Sequence, residues 1–147
     1  MKCKNIFIGA DHAGFKLKKE IRETLDKRPA TSVVMDLSPK LIEGDDYPEI
    51  ATQVAKLVAG TPGSRGVLIC GSGVGVTMAA NRIKGVRAFD AYDAETVKLA
   101  REHNDANVIA LSGWRQSAAD AKKLLKIFFA TEFSKTPRHH RRVKMLG

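Results

Sequence analysis

Five short apolar runs alternate along the chain with longer stretches whose apolar positions recur at helical spacing. Asn5-Ile6-Phe7-Ile8-Gly9-Ala10 predicts a first strand, Ser32 to Leu37 a second, Val67-Leu68-Ile69-Cys70 a third, Gly85 to Phe89 a fourth and Asn107 to Leu111 a fifth. Between them, Phe15, Leu17, Ile21 and Leu25 mark a helix that runs to about Lys27 and stops before Pro29. Asp46-Tyr47-Pro48 opens a second helix, with Pro48 suited to its first turn and Ile50, Val54, Leu57 and Val58 as its apolar face up to Gly60. Asp93 is the expected N-cap of a helix through Val97, Leu99 and Ala100. Ser117-x-x-Asp120 resembles a shortened capping signal before Ala121, Leu124, Leu125, Phe128 and Phe129, the last long helix.

Strands separated by helices throughout imply parallel pairing through right-handed crossovers. The expected fold class is therefore α/β: one domain over residues 1–147, with three α/β/α layers in a Rossmann-like arrangement and a five-stranded parallel sheet in the order 2-1-3-4-5. In such sheets ligands bind beyond the carboxyl ends of the strands, where the strand order reverses. That rule gathers Asp11-His12, after the first strand, and Cys70 to Gly75, after the third, into one crevice.

The third strand carries the densest chemistry. Four uncharged apolar residues, predicted to be buried on both faces, run into Cys70-Gly71-Ser72-Gly73-Val74-Gly75 and then into the Ala-rich helix from Val76 to Asn81. Loop and helix-start N–H groups point outward, and glycine lets an oxyanion or phosphate approach them, so Gly71, Gly73, Val74 and Gly75 are candidate anion contacts. Two readings fit Cys70. It is a thiol ionised by those N–H groups, or a small buried core residue. The loop reads G-x-G-x-G with Val76 where a dinucleotide fingerprint needs its last glycine, and no G-K-[ST] follows, so neither NAD nor ATP binding is supported.

Composition narrows the class further. The chain has 147 residues, enough for a core without disulfide staples, and Cys3 and Cys70 lack the spacing of a disulfide framework or zinc site. No metal and no cofactor are expected. No long apolar run and no signal peptide are evident, so a membrane partner is not expected and a cytoplasmic setting is the default. The net charge of +9 fits nucleic acid, an acidic surface or a phosphorylated small molecule; with aromatics at 6% and none interleaved with the basic residues, a base-stacking platform is disfavoured. Part of that charge lies in the basic tail over residues 131–147, where four-residue spacing puts Arg138 and Arg142 on one helical face.

Taken together, D-H-A-G at Asp11 to Gly14, D-Y-P at Asp46 to Pro48, C-G-S-G-V-G at Cys70 to Gly75, H-N-D at His103 to Asp105 and the tail Arg138-His139-His140-Arg141-Arg142 resemble the type B ribose-5-phosphate isomerase family, which also includes galactose-6-phosphate isomerase subunits. The resemblance covers essentially the whole chain. It implies aldose–ketose isomerisation of a phosphorylated sugar through an enediol without a metal, in a homodimer or possible tetramer whose active site draws residues from two subunits.

On that resemblance Cys70 matches the catalytic base, Ser72 stands where it steadies the base or a substrate oxygen or is a loop residue chosen for its size, and His103 matches the ring-opening acid–base. Asn104, Asp46 and Tyr47 match sugar contacts; His12, Arg138 and Arg142 match phosphate contacts. Asp11 reads as a hydroxyl or proton-relay contact, or as an Asx-type turn. From spacing alone His103 also fits a helix C-terminal residue favoured by the dipole. After the fifth strand, Leu111-Ser112-Gly113-Trp114-Arg115 is one residue longer than the family pattern; Arg115 is the candidate for a further phosphate arginine, and Trp114 fills part of the pocket or covers the core edge. The alternatives are the same chemistry on a hexose or tetrose phosphate, and a non-catalytic phosphate-binding module.

Overall fold

The strand order β2-β1-β3-β5-β4 organises the computed structural model, which describes residues 3, 5–28 and 32–147. The strands are β1 (Asn5–Ala10), β2 (Val33–Asp36), β3 (Arg65–Cys70), β4 (Ala88–Asp90) and β5 (Val108–Ser112), and every pairing is parallel. The helices are α1 (Phe15–Asp26), α2 (Tyr47–Gly60), α3 (Val74–Ala80), α4 (Ala94–Asn104), α5 (Ala118–Ala130) and α6 (Pro137–Leu146).

Alternation along the strands divides the core into two layers. Ile6, Ile8, Val67, Ile69, Ile109 and Leu111 pack with Leu17, Ile21 and Leu25 of α1, Val97 of α4 and Leu124, Leu125 and Phe128 of α5. Phe7, Leu68, Cys70, Val108 and Ala110 face the other way, onto Ala51, Val54 and Val58 of α2 and Val76 and Ala80 of α3. Each such aliphatic side chain contributes about 1.5–3 kcal/mol on burial, so the two layers fix the sheet and therefore its edges. The three-layer α/β/α fold agrees with the expectation from sequence.

The order of the last two strands does not. β5 lies between β3 and β4, so the expected order 2-1-3-4-5 is corrected to 2-1-3-5-4. All five residues of β5 are buried, as an inner parallel strand requires, whereas β4 has three residues, all partly exposed, and suits an edge. β4 also starts later than the run Gly85 to Phe89 suggests, because Gly85 has φ +86° and belongs to the preceding turn. The order still reverses between β1 and β3, which leaves the crevice where Asp11 and Cys70 predict it.

Capping follows the sequence closely. Asp93 accepts a hydrogen bond from the Thr96 N–H at the start of α4, and Ser117 accepts one from the Asp120 N–H at the start of α5. A buried polar knot ties the crevice side of β1 and β2 together. Lys18, 2% exposed, donates to both carboxylate oxygens of Asp36 at 2.9 Å and to the Ser38 carbonyl, while Ser38 Oγ accepts from the Ala10 N–H at 2.9 Å. The long loop from Ser38 to Asp46 is thereby anchored at its root and led across the strand ends. Among the described residues no helix is long and apolar enough to cross a membrane.

Candidate active site

Cys70 is the last residue of β3 and is buried, with its Sγ accepting a hydrogen bond from the Gly73 N–H at 3.1 Å. Gly73 has φ +84°, and this left-handed turn is what folds the loop back toward the sulfur. Ser72 Oγ accepts from the Val74 N–H at 3.2 Å, and Ser112 Oγ donates to the Gly71 carbonyl at 2.7 Å. Ser72 thus braces the loop itself. The N–H groups of Ser72 and Gly75 meet no protein acceptor among the described residues. α3 is only seven residues long, so anion holding here rests on loop amides more than on a helix dipole.

Two aromatic rings wall this loop. A side chain on Gly71 would collide with the Trp114 indole, and a Cβ on Gly75 would lie 2.6 Å from the Tyr47 ring, so both glycines are needed for close approach. Trp114 is 76% exposed and lies over Gly71 of the loop. Tyr47 opens α2 directly behind Asp46, whose exposed carboxylate makes no side-chain cap. The helix start thus sets the Tyr47 ring beside the glycine loop, with Asp46 exposed before it.

The loop after β1 meets the same place. The Asp11 N–H donates to the Ile69 carbonyl at 3.2 Å, and Asp11 Oδ1 accepts from the Gly14 N–H at 3.0 Å, closing the Asx-type turn that was one of its two readings. Burial pushes the Asp11 carboxyl above its ordinary value, opposed by the Gly14 N–H. His12 is held by a residue that sequence reasoning missed. Asp45 Oδ1 accepts from the His12 N–H at 2.7 Å and lies 3.0 Å from His12 Nδ1, and this hydrogen bond raises the imidazole above its ordinary 6.5. The pair of acids in the long loop was the only signal for it.

Arg115 lies beside the glycine loop. Gly113 donates to the Cys70 carbonyl at 2.8 Å and Trp114 to the Gly71 carbonyl at 3.0 Å, so the β5 exit lies along the glycine loop. From there Arg115 Nη2 reaches the Ser72 carbonyl at 2.6 Å and Asp90 Oδ2 at 3.4 Å. Asp90, also missed in sequence, is the last residue of β4; its Oδ1 is buried without a partner among the described residues, and burial raises its carboxyl, opposed by Arg115. An acid ending a strand run, where apolar residues precede it, is the signal that marks it.

His103, Asn104, Arg138 and Arg142 are not brought to this crevice within one chain. α4 runs back from the crevice side, so its last turn, with His103 and Asn104, lies at the edge where β5 begins. Cys70 pairs with Ser112 at the other end of β5, roughly 13 Å away at a strand's rise per residue. At that far edge α6 packs on α4. The His103 and His139 rings lie 4.2 Å apart between centroids, and Arg138 Nε donates to His139 Nε2 at 3.4 Å. Burial first, then the charges of His103, Arg138 and Arg142, hold His139 below the ordinary histidine value. Arg138 and Arg142 stand one turn apart on α6, exposed. Among the described residues no three His, Cys, Asp or Glu side chains gather as a metal centre would require.

One chain thus presents two separate groups: a thiol, a carboxyl and an imidazole in an amide-rich crevice at one edge, and a stacked histidine with two exposed guanidinium groups at the other. This defines a doubly wound parallel α/β protein with a polar crevice at its switch point. The profile of the family described as Ribose/Galactose Isomerase matches residues 6–146, and the chain belongs to that family. It is 37% identical to "Ribose-5-phosphate isomerase B" of Mycolicibacterium paratuberculosis over 97% of this chain and 89% of that protein. Among solved structures, type B ribose 5-phosphate isomerase of Trypanosoma brucei superposes with a TM-score of 0.92 at 34% identity, covering 98% of this chain and 97% of that one. Ribose-5-phosphate isomerase B of Mycoplasma genitalium, with bound ribulose-5-phosphate, superposes with a TM-score of 0.90 at 40% identity, covering 99% and 95%.

Proposed function

We propose that the protein interconverts ribose 5-phosphate and ribulose 5-phosphate without a metal, in a homodimer whose two active sites each join the Cys70 crevice of one subunit to the His103 edge of its partner. The observation that carries this reading is the separation of Cys70 from His103 along β5, in a chain 40% identical to a protein whose structure holds ribulose 5-phosphate. A sugar phosphate lying between two subunits meets both halves at once.

In this mechanism His103 passes a proton between the ring oxygen and the anomeric hydroxyl, opening the furanose. Cys70 then takes the C2 proton of the open aldose; the C2–H electron pair forms the C1=C2 bond as the carbonyl pair moves onto O1, giving an enediolate. The O2 proton passes to O1, the C2=O bond forms, and Cys70 returns its proton to C1, which yields the ketose. The amides of Ser72 and Gly75 supply donors to the developing oxyanion, and a preorganised donor of this kind is worth several kcal/mol of barrier. Ser72 steadies the loop, and Asp11, Asn104, Asp46 and Tyr47 contact the sugar hydroxyls. Arg138 and Arg142, with His12 and Arg115, hold the phosphate through charge-assisted hydrogen bonds.

Purified protein assayed in chelator on ribose 5-phosphate, beside hexose and tetrose phosphates, tests the proposal. Turnover of ribose 5-phosphate that survives chelation and exceeds that of the other sugars is expected; no turnover on any of them would overturn it.

The His12–Asp45 pair gives a pH prediction. Because Asp45 raises the imidazole, the cation that meets the phosphate persists to higher pH than an unpaired histidine allows, and is lost as pH rises through the raised value. Replacing Asp45 with Asn returns His12 toward 6.5. The KM for ribose 5-phosphate should then rise by about three- to tenfold near neutrality and stay unchanged below pH about 5.5, where both proteins carry the cation. A KM profile identical in the two proteins would remove the pair from phosphate binding.

A further inference from the structure

The edge of the sheet where the strands begin holds a cavity of about 700 Å³, lined in part by Arg65, Arg87, Arg101, Ser64 and Phe133. Neither His103, Arg138 nor Arg142 lines it, so it is separate from the half-site on the same edge. Two of its guanidinium groups share one acid. Arg87 Nη2 lies 3.0 Å from Asp105 Oδ2 and Arg101 Nη1 2.9 Å from Asp105 Oδ1, and this clamp holds Asp105 at φ +46°.

Arg65 has no such partner. Its Nη1 donates to the Ser64 carbonyl at 3.1 Å, and among the described residues no carboxylate pairs with it. Met1, Lys2, Lys4, Pro29, Ala30 and Thr31, outside the described part, bring no side-chain carboxylate either. Glu132 at the cavity lining is exposed and pairs with none of the three arginines. Burial first, then repulsion from Arg101, depresses the Arg65 guanidinium below its ordinary range. Asp105 offsets part of this but is one charge shared among three cations, and a partly buried cation beside two others gains from a further anion.

We propose that this cavity is a second anion site, which takes a small phosphorylated ligand on the guanidinium fork of Arg65, with the surplus charge of Arg87 and Arg101 behind it. A planar guanidinium with unused donors matches phosphate oxygens in pairs, and the polar walls leave room for more than the phosphate alone. The site is independent of the isomerase reading, since it uses none of the same residues.

Equilibrium dialysis with labelled orthophosphate tests it on the full-length protein. Arg65→Gln is expected to bind about one phosphate fewer per chain than the wild type, with isomerase turnover unchanged. Equal phosphate binding in the two proteins would overturn the site, as would parallel loss of turnover in a folded variant, which would place the cavity in the catalytic centre. Arg65→Lys keeps the charge but loses the fork, and serves if the glutamine variant does not fold. It should weaken this one phosphate by about tenfold and leave the other binding untouched, and wild-type affinity for all bound phosphate would equally overturn the proposal.

Discussion

Replacing Cys70 with alanine is expected to lower turnover of ribose 5-phosphate by about 10²- to 10⁴-fold while orthophosphate still binds the active site. At 1.36 kcal/mol per tenfold this is roughly 2.7–5.5 kcal/mol of barrier, the size of one lost acid–base group. The substitution removes only the buried Sγ and its hydrogen bond from Gly73, and leaves the Ser112–Gly71 and Ser72–Val74 bonds that shape the loop. Binding and chemistry should therefore separate: a small change in KM and a large one in kcat. Steady-state kinetics beside phosphate titration checks this, and a kcat within a fewfold of wild type would exclude Cys70 as the base.

Gly73→Ala is expected to be nearly as damaging by a different route. Gly73 sits at φ +84°, where a side chain costs about 1 kcal/mol, and its Cβ would stand 2.5 Å from Asp90 Oδ1. That oxygen is buried at the end of β4, and the other oxygen of the half-buried carboxylate is linked to Arg115, so the group has little room to yield. The combined cost is about 2–4 kcal/mol of stability, read as a lower denaturation midpoint. A loop displaced by even an ångström also carries the Gly73 N–H away from Cys70, and misplacement of that size costs on the order of 10²-fold in rate. The double variant with Asp90→Ala relieves the clash and should recover part of the stability. No recovery would show that the backbone angle alone sets the penalty.

The parts of the fold that the sequence makes legible are those decided by local pattern. β1, β3 and β5 are uninterrupted apolar runs, and Asp93 and Ser117 cap where their side-chain chemistry says they should. Strand order is different in kind. It depends on which of β4 and β5 is closed to water on both faces, and that emerges only when Ala88–Asp90 proves too short and too exposed for an inner position.

The site divides in the same way. Asp11, His12 and Cys70 stand together because strand ends meet at the switch point, which the alternation of elements predicts. Asp45 and Asp90 have no periodic signature: each is a single acid whose meaning comes from His12 or Arg115 reaching it across the fold. The stacking of His139 on His103 is hidden for a similar reason, because a basic tail discloses charge and helical spacing but not the α4 face it packs on. The place of Trp114 and Arg115 beside the glycine loop depends on the hydrogen bonds of Gly113 and Trp114 to β3 and its loop, which link segments far apart in sequence.

Mixing two inactive variants tests the central claim, one active site built from two chains, most directly. Cys70→Ala and His103→Ala homodimers are unfolded together, refolded and assayed on ribose 5-phosphate, with each variant refolded alone as the control. Random pairing makes about half the dimers mixed, each with one intact site of two, so recovery of about a quarter of wild-type activity is predicted. Activity no greater than that of the separate variants, in a mixture shown to contain mixed dimers, would contradict a shared site.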